Sequence, residues 1–404
     1  MSSASLAKFD IAIVGAGLVG ATLAVALGRA GFRTALIDRA EPAELPVGST
    51  DERTVALSVA SERLLKKLDL WPAVAARGLG SYEKMQVWDA AGYGSVTFAA
   101  AELGLPALGH IVENLSVQRA AWQAVRLLPN TELICPAVVE KFSVNANDAT
   151  LQLEGGIALS AHLVISAEGG NSLLRDQLEI GVYRRDYEQR GIVANVKTEK
   201  GHQNTAWQRF LPTGPLAFLP LASGQSSIVW SLDNAAADKM MSLDDEAFSS
   251  QLTEALDGKL GRCELASRRL QFPLKALLAE QYVAERFALV GDSAHAVHPL
   301  AGQGANLGLL DVASLVDVLV TARQQQRDIG ALPVLRRYQR WRKGENATML
   351  LALDGLKHLF GAPQPAWSRL RSVGMNMVDI VQPMRIRFAR HAAGIGGDVP
   401  PLSR

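Results

Sequence analysis

The chain has 404 residues, of which 48% are hydrophobic and 20% charged, so it is long and apolar enough to fold as two globular domains. Its 41 Lys and Arg against 40 Asp and Glu leave a formal net charge of +1, which argues against a duplex nucleic-acid binder. Only two cysteines, Cys135 and Cys263, and no HExxH motif argue against a disulfide scaffold and a zinc centre, so no metal site is expected.

Residues 11–28 carry no charged side chain and are long enough to suggest a signal peptide or a membrane span. Glycines interrupt this stretch, however, and the preceding residues 8–10 (KFD) lack the basic region of a signal peptide. We therefore interpret the stretch as a folded internal segment, and the chain is expected in the cytoplasm.

The first elements of the chain form a βαβ unit. Residues 8–14 (KFDIAIV) predict a buried strand, residues 18–29 a helix rich in small residues, and residues 33–38 (RTALID) a second strand. The pattern then predicts a helix at 54–68, a hairpin at 85–98, a helix at 118–128, a meander at 138–165, strands at 192–232, helices at 233–259, strands at 265–274 and 287–290, and helices from 307 onward. A βαβ unit that is interrupted by β-rich segments and closed by helices predicts an α/β protein with two discontinuous domains.

The turn after the first strand carries a GxGxxG motif formed by Gly15, Gly17 and Gly20. Such glycines allow a tight turn and a close approach of the backbone to a pyrophosphate, which binds the N–H groups at the helix N-terminus. Asp38 ends the next strand, about 20 residues on, where an acid is expected to bind a ribose hydroxyl. Arg39 beside it either flanks the adenosine or is an ordinary solvated arginine. These features predict a bound dinucleotide without deciding between NAD and FAD.

A second glycine-rich turn lies in FALVGDSAHAVHPLAGQGANLGLLD, residues 287–311. Asp292 follows a strand there and is suited to accept hydrogen bonds from a polyol. Gly304, Ala305 and Asn306 open a helix whose N–H groups suit an electron-rich ring edge. A flavin offers both features, because it has a ribityl chain and a ring edge that gains negative charge on reduction. The alternative is a second structural turn without a ligand.

At these motifs the sequence resembles the FAD-dependent aromatic hydroxylases of the class A flavoprotein monooxygenase family, and among them the ubiquinone-biosynthesis hydroxylases. GDSAHAVHPLAGQGANLG corresponds to the GD motif of that family, and the similarity to its 2-polyprenylphenol (C5) hydroxylases extends to LGHIVEN (108–114), AFLPL (217–221) and SIVWSL (227–232). The resemblance implies an α/β fold with a Rossmann-like FAD-binding domain (1–75, 111–180 and 279–335), an interleaved β-sheet substrate domain (hairpin 76–110, and 181–278) and a C-terminal helical region (336–404).

The resemblance also implies which residues hold the FAD. It assigns Asp38 to the adenosine ribose, Arg119 to the pyrophosphate, Arg53 (in DERTVAL) to the vicinity of the flavin, Asp292 to the ribityl chain, and Gly304, Ala305 and Asn306 to the isoalloxazine edge. From the residues alone, Arg53 and Arg119 could equally be solvated surface arginines.

One family motif is altered in this chain. The family has Asp-Gly followed by Ala-Asn-Ser, whereas residues 168–172 read EGGNS, with Arg175 following. Glu168 keeps the charge but adds a methylene. Because this motif is associated with both FAD and the reduced pyridine nucleotide, the change bears on docking of the electron donor. Ser293, which replaces the usual alanine, is expected to matter little.

In that family NAD(P)H reduces the FAD, O₂ adds to the flavin C4a, and the resulting hydroperoxide transfers oxygen to a phenol, so the protein mainly positions the reactants and excludes water. His298 and Pro299 lie in the loop expected beside the reactive flavin edge, where His298 either assists deprotonation of the phenol or makes a structural hydrogen bond. His295 is expected to be structural. Four aromatic residues either roof an apolar substrate pocket or form the core of the sheet: Trp207, Phe210, Phe218 and Trp230.

The C-terminal region is both basic and apolar, with RRYQRWRK at 336–343 and further arginines among apolar residues at 366–391. It either contacts a membrane surface or another enzyme of ubiquinone biosynthesis, or packs on the core as solvated helices. The resemblance implies hydroxylation of a polyprenylated phenol in ubiquinone biosynthesis, in the cytoplasm or on the inner face of a membrane. Two alternatives remain open: hydroxylation of a small soluble aromatic or at another ring position, and a flavin-binding accessory subunit without turnover.

Overall fold

A computed structural model describes residues 7–44, 51–297, 302–361 and 365–404. The strands are β1 (Ala7–Val14), β2 (Thr34–Ile37), β3 (Thr54–Ser58), β4 (Gly80–Tyr82), β5 (Lys84–Asp89), β6 (Ser95–Ala99), β7 (Gly109–Glu113), β8 (Thr131–Ile134), β9 (Val139–Val144), β10 (Ala149–Leu153), β11 (Ala158–Ser166), β12 (Val182–Thr198), β13 (Thr205–Leu211), β14 (Gly214–Pro220), β15 (Ser226–Asp233), β16 (Cys263–Leu265), β17 (Leu270–Ala279), β18 (Val283–Ala284), β19 (Phe287–Leu289) and β20 (His295–Ala296). The helices are α1 (Leu18–Arg29), α2 (Val59–Lys67), α3 (Trp71–Ala75), α4 (Asn114–Leu127), α5 (Leu173–Gln177), α6 (Asn234–Ser242), α7 (Asp245–Ala255), α8 (Gly304–Gln324), α9 (Leu332–Gly361), α10 (Pro365–Ile380) and α11 (Gln382–Ala392).

The first sheet has the strand order β18-β19-β11-β1-β2-β8 and is mainly parallel. Strand β1 lies at its centre and pairs in parallel with β11 on one side and β2 on the other, which is the predicted βαβ unit. Because both faces of such a sheet are covered, its strands are almost wholly apolar, and Ile11 and Ile13 are fully buried. Helices α1 and α8 pack against each other in this core.

Helix α8 is, within the described ranges, the one helix long and apolar enough to cross a membrane. However, 72% of its apolar window is buried inside the molecule, as in the core helix of a globular protein.

The second sheet has the order β20-β17-β12-β15-β14-β13-β5-β6 and contains the predicted hairpin, in which β5 and β6 pair antiparallel. Its two faces have different neighbours. One face packs against α6 and α7, with Phe218 and Trp230 contacting Phe248 and its neighbours in a single buried cluster. The other face packs against the C-terminal helices, and Phe210 stacks on Phe360 with ring centroids 3.8 Å apart.

The sequence prediction is wrong at two places in particular. Residues 54–58 form β3 rather than the start of a helix, because they pair antiparallel with β7 in a small third sheet of order β3-β7-β4. The β-branched Thr54 and Val55 suit a strand, and the Ser58 side chain then accepts from the N–H of Ser61 and caps α2. The second place is residues 266–269, which interrupt the strand predicted at 265–274: Leu265 ends β16, and β17 begins at Leu270.

Strands of the two sheets alternate along the chain, as the predicted discontinuous domains require, although the exact domain bounds remain a prediction. Strands β1, β11 and β19 are parallel neighbours, so the turns that follow them meet at one edge of the first sheet. That edge is where ligands bind in open α/β sheets.

Candidate cofactor site

The glycine turn after β1 contains three glycines in different surroundings. Gly15 has a φ of +100°, and a Cβ there would collide with the carbonyl oxygen of Ala167. A Cβ on Gly20 would collide with the carbonyl oxygen of Gly15, so this glycine allows α1 to pack on its own turn. By contrast, a Cβ on Gly17 would meet no atom of the described residues within 4 Å. The open space is therefore at Gly17, the N-cap of α1, where a phosphate would approach free N–H groups.

Asp38 lies beside this turn, as the sequence predicts. Its carboxylate accepts hydrogen bonds from the backbone N–H groups of Ala16 (2.5 Å) and Ala40 (3.2 Å). Arg119, on α4, donates to the carbonyl oxygen of Ala43, so it lies next to the segment that follows Asp38. Arg39 is exposed. The predicted adenosine and pyrophosphate residues therefore occupy one corner of the site.

Helix α4 also holds the turn itself. Gln118 Nε2 and Trp122 Nε1 both donate to the carbonyl oxygen of Ala16, at 2.9 and 2.8 Å. These two side chains were not singled out from the sequence, because nothing in their spacing indicates a contact about a hundred residues away.

Asp292 lies in the second predicted turn and combines two properties. Its side chain is exposed, yet burial among surrounding protein atoms raises the pKa of its carboxyl, while His295 opposes this shift and Asp311 adds to it. Solvent therefore reaches this side chain although protein atoms lie close to its carboxyl. An exposed carboxylate at this turn suits a polyol chain with hydroxyl donors.

The N-terminus of α8 faces open space. A Cβ on Gly304 would meet no described atom within 4 Å, and no side chain caps the first turn of the helix. Asn306 has a buried side chain that donates to the carbonyl oxygen of Ala56 (2.8 Å) and accepts from Ser58 N (2.9 Å) and Ser61 Oγ (2.7 Å). Its amide is therefore used within the protein, and only backbone N–H groups of residues 304–306 can serve a ring edge.

Direct contacts bring the turns together. A Cβ on Gly308 would lie 2.7 Å from Val19 Cγ2, and one on Gly291 would lie 3.2 Å from the same atom, so α1 and α8 approach closely near their N-termini. Ser293 Oγ donates to the carbonyl oxygen of Gly169 at 3.2 Å. The turns after β1, β11 and β19 thus border one region.

The altered motif after β11 is occupied by its own hydrogen bonds. Three groups donate to Oε2 of Glu168: the hydroxyl of Ser166 (2.9 Å), the hydroxyl of Ser172 (2.6 Å) and the backbone N–H of Leu174 (3.2 Å). The glutamate carboxylate therefore fixes the start of α5.

Arg175 and Ser293 connect this motif to the second turn. Arg175 is fully buried and donates to the carbonyl oxygens of Gly170 (3.0 Å) and Ser293 (3.1 Å). The hydroxyl of Ser293 also accepts from Ser166 Oγ at 3.3 Å, so this residue contributes more than the minor role expected from the sequence. A Cβ on Gly169 or Gly170 would meet no described atom within 4 Å, which leaves this side of the region open.

A buried charge cluster underlies the second turn. Asp311 accepts from the N–H of Gly291 (3.1 Å) and from Nε2 of His295 (2.5 Å). Its other oxygen accepts from Arg342 Nε (2.9 Å) and Asn346 Nδ2 (3.3 Å). Burial alone would raise the pKa of Asp311, but His295 and Arg342 outweigh it and hold the pKa below its usual value. Since Asp311 contacts both ends of the turn, the cluster fixes the position of the acid between them.

Sequence analysis missed this cluster. Asp311 stands alone in an otherwise apolar part of α8. Because a buried acid requires a partner, this position could have indicated a buried ion pair from the sequence. Its partner lies in the basic run 336–343, for which the sequence leaves two alternatives open: contact with a membrane or another enzyme, and packing on the core as solvated helices. Arg342 is instead fully buried, and Lys343 donates to the carbonyl oxygen of Glu280.

The remaining predicted residues fall into three groups. The Arg53 side chain is 63% exposed, with Nε 3.6 Å from Asp51 Oδ1, so it is free to move toward a ligand. His298 and Pro299 lie outside the described residues. Trp207 and Phe218, predicted to contact substrate, are buried against the α6 and α7 side of the second sheet, the alternative that the sequence left open.

Taken together, these groups fit an FAD. N–H groups and open space at Gly17 suit its pyrophosphate, Asp292 suits its ribityl chain, and the N-terminus of α8 suits its ring edge. Within the part of the chain that the structure describes, no group of three or more His, Cys, Asp and Glu side chains could hold a metal ion.

Comparison with known proteins agrees with this fit. A family model described as an FAD binding domain matches residues 8–343. The chain is 37% identical to the 3-demethoxyubiquinol 3-hydroxylase of Escherichia coli, over 96% of this chain and 98% of that protein. It is 34% identical to a ubiquinone hydroxylase of Rhodospirillum rubrum (98% and 92% covered) and 32% identical to the mitochondrial ubiquinone biosynthesis monooxygenase of Drosophila melanogaster (97% and 91% covered).

Solved structures share the fold at lower identity. The p-nitrophenol 4-monooxygenase of Pseudomonas putida superposes with a TM-score of 0.79 at 17% identity, covering 98% of this chain and all of that one (100%). A probable FAD-dependent monooxygenase of Pseudomonas aeruginosa gives a TM-score of 0.76 at 23% identity, with 91% and 99% covered. The predicted fold class, cofactor and family are confirmed: this chain belongs to the FAD-binding domain family, together with relatives named as hydroxylases and monooxygenases.

Proposed function

We propose that this chain is an FAD-dependent monooxygenase that hydroxylates the ring of a polyprenylated phenol in ubiquinone biosynthesis, with NAD(P)H and O₂ as co-substrates. The observation that carries the proposal is the meeting of three turns, after β1, β11 and β19, in one region where Asp292 is exposed and Gly17, Gly169 and Gly170 have open space. Relatives named for ubiquinone hydroxylation, one of them 37% identical, support the substrate class.

At the adenosine end, the backbone of Gly15, Gly17 and Gly20 holds the pyrophosphate. Asp38 binds the ribose through the accepting capacity that its two backbone hydrogen bonds leave free. Arg39 lies beside the ribose, and Arg119 turns from the carbonyl of Ala43 toward the phosphates.

At the flavin end, Asp292 accepts from the ribityl hydroxyls, and the N–H groups of Gly304, Ala305 and Asn306 face the electron-rich ring edge. When bound, FAD supplies the redox and oxygen-transfer chemistry. Arg53 adds a mobile positive charge near the ring. His298 and Pro299, which lie outside the described residues, stay the residues predicted for the reactive edge, where His298 would hold or move the phenol proton.

The phenol ring lies against the face of the second sheet that is opposite to Trp207 and Phe218. On that face, Leu219 and Val229 are half-buried apolar side chains that α6 and α7 do not cover. Thr54 Oγ1, on the cofactor side, lies 3.0 Å from Ser227 Oγ of this face. A ring held here would adjoin the flavin end of the site. The chain works at the inner face of a membrane, through its C-terminal region.

The deciding experiment is an absorbance spectrum of the purified protein, followed by NAD(P)H oxidation with and without phenols. We expect a flavin spectrum, oxidation that accelerates with a polyprenylated phenol, and a product heavier by one oxygen. Equal acceleration by short soluble phenols would instead favour a hydroxylase of small aromatics, and a yellow protein without any phenol-dependent oxidation would favour an accessory subunit. Analysis of the product also identifies the ring position, including whether it is that of the 2-polyprenylphenol branch.

A further inference from the structure

Helix α10 directs its polar side chains into the protein. Four of them bind the hairpin β5–β6. Ser368 Oγ donates to Ala91 O (2.6 Å), and Ser372 Oγ accepts from Tyr93 N (3.2 Å). Asn376 Oδ1 accepts from Ser95 N (3.1 Å), and Asp379 Oδ1 accepts from Thr97 N (2.9 Å). Met375, on the same side of the helix, is buried. A surface helix normally buries its apolar side, so α10 is oriented the opposite way.

Its apolar residues face solvent. Their spacing of three and four residues places the first five on one side of α10, and two more lie on α11, which contacts α10. The exposed fractions are Trp367 46%, Leu370 57%, Val373 58%, Met377 53%, Ile380 80%, Met384 36% and Phe388 54%. We call these seven side chains the outer face. Contiguous exposed apolar surface of this kind marks an interaction site in a folded protein.

Exposed arginines accompany the outer face on both helices. Arg369, Arg387 and Arg390 are exposed, and none of them forms an ion pair with another described residue. The one acid of the two helices, Asp379, is bound to the hairpin and lies 3.9 Å from Arg385. Arg385 is also paired with Glu102, which lies outside the two helices, so the unpaired charges beside the outer face are the three exposed arginines.

We propose that the outer face rests on an anionic lipid bilayer. Apolar side chains that enter the acyl boundary, arginines at head-group level and a tryptophan among them are the features of an interfacial helix. A second copy of this chain would bring the same arginines against one another, whereas anionic head groups complement them. The proposal deepens the proposed function, on which it rests in part, because a polyprenylated phenol is dissolved in a membrane.

The test is co-sedimentation of the FAD-loaded protein with vesicles of phosphatidylcholine, with and without phosphatidylglycerol. The triple variant Val373→Ser, Met377→Gln, Ile380→Ser should bind anionic vesicles at least tenfold more weakly. The matched control Leu127→Gln, Ile157→Ser, which alters side chains 84% and 62% exposed elsewhere, should bind like the parent protein. Arg387→Gln, Arg390→Gln should lose the preference for phosphatidylglycerol.

Two further measurements make every outcome decisive. In the unaltered protein, vesicles should shift the tryptophan emission to shorter wavelength, and Trp367→Phe should abolish this shift, which tests the contact without a destabilising change. Oxidation of NAD(P)H with a short soluble phenol should be unchanged in the triple variant. The proposal is overturned by undiminished vesicle binding of that variant, or by a protein dimer that only the triple variant dissolves. Vesicle binding without turnover of any phenol would refute the proposed function and leave the outer face standing.

Discussion

The turns after β1 and after β19 are supported in different ways. The turn before α1 is held by neutral contacts, since Gln118 and Trp122 donate to the carbonyl oxygen of Ala16 and neighbouring backbone fills the rest. The turn after β19 lies over ions, because Asp311 of α8 binds Gly291 and His295 at its two ends and is itself bound by Arg342. The comparison teaches that the conformation of the first turn is held by neutral contacts, whereas the position of the second turn depends on an arginine of another helix, Arg342.

The largest effect should follow removal of that arginine. Arg342→Met leaves Asp311 buried without its arginine partner, which we expect to lower the free energy of unfolding by about 3–5 kcal/mol. Chemical denaturation of the flavin-free protein measures this. The same change at Arg336, which is exposed on the same helix, should cost less than about 0.5 kcal/mol. Equal losses in the two variants would mean that the buried ions do not support the turn.

Two glycine substitutions in the turn before α1 separate its contribution to folding from its contribution to FAD binding. Gly20→Ala collides with the carbonyl oxygen of Gly15 and should destabilise the protein by about 1–3 kcal/mol or prevent folding. Gly17→Ala has open space and a φ of −66°, so the flavin-free protein should be as stable as the parent. Its added methyl group would nevertheless occupy the place of the pyrophosphate. Thermal denaturation and fluorescence titration with FAD separate the two effects, and tight FAD binding by Gly17→Ala would contradict the assignment of this corner.

The altered motif after β11 lies between the turns after β1 and β19. A substitution there should lower the free energy of unfolding by a smaller amount. Glu168→Ala removes the acceptor of three hydrogen bonds at the start of α5, which we expect to cost about 1–2 kcal/mol. Glu132→Ala, at an exposed strand position, is the matched control. If Glu168 instead serves the electron donor, the variant should keep its stability and raise the KM for NAD(P)H. Steady-state kinetics beside denaturation therefore decide between the two roles.

The difference between local and long-range contacts explains which parts of the structure the sequence predicts. The corner at Gly15–Gly20 and Asp38 follows from residues close together in sequence, so its fold and chemistry were both predicted. The start of the 54–68 segment was assigned to a helix because its pairing with β7 is a tertiary contact that periodicity cannot reveal. The sequence likewise does not single out Arg342 as a buried residue, since its partner Asp311 lies 31 residues away.

The side of the second sheet that each aromatic residue faces was equally beyond the sequence. Trp207 and Phe210 lie on one strand, three positions apart, and therefore on opposite faces. The alternation of side chains along a strand shows that the two residues face opposite ways, but it does not show which face is covered by helices. Only the packing of α6 and α7 shows that Trp207 belongs to the core.

The smallest predicted effect concerns Asp292 and has opposite signs with and without cofactor. Burial raises the pKa of this carboxyl, so the folded flavin-free protein binds its proton more tightly than the unfolded chain does. Stability is therefore lost as the pH rises from the ordinary range of an aspartate through the raised value in the folded state. Asp292→Asn carries no charge, so at neutral pH it should be slightly more stable than the parent without flavin, and the two should converge in acid.

Saturating FAD should reverse this order, because the ionised carboxylate is the stronger acceptor for the ribityl hydroxyls and a ligand stabilises the form that binds it. Melting temperatures of both proteins between pH 4 and 8, with and without FAD, measure the crossing. An Asn variant that is less stable under every condition would show that Asp292 is structural, like the ions beneath it. A crossing would instead show that the ionised carboxylate of Asp292 destabilises the flavin-free protein and stabilises the FAD complex.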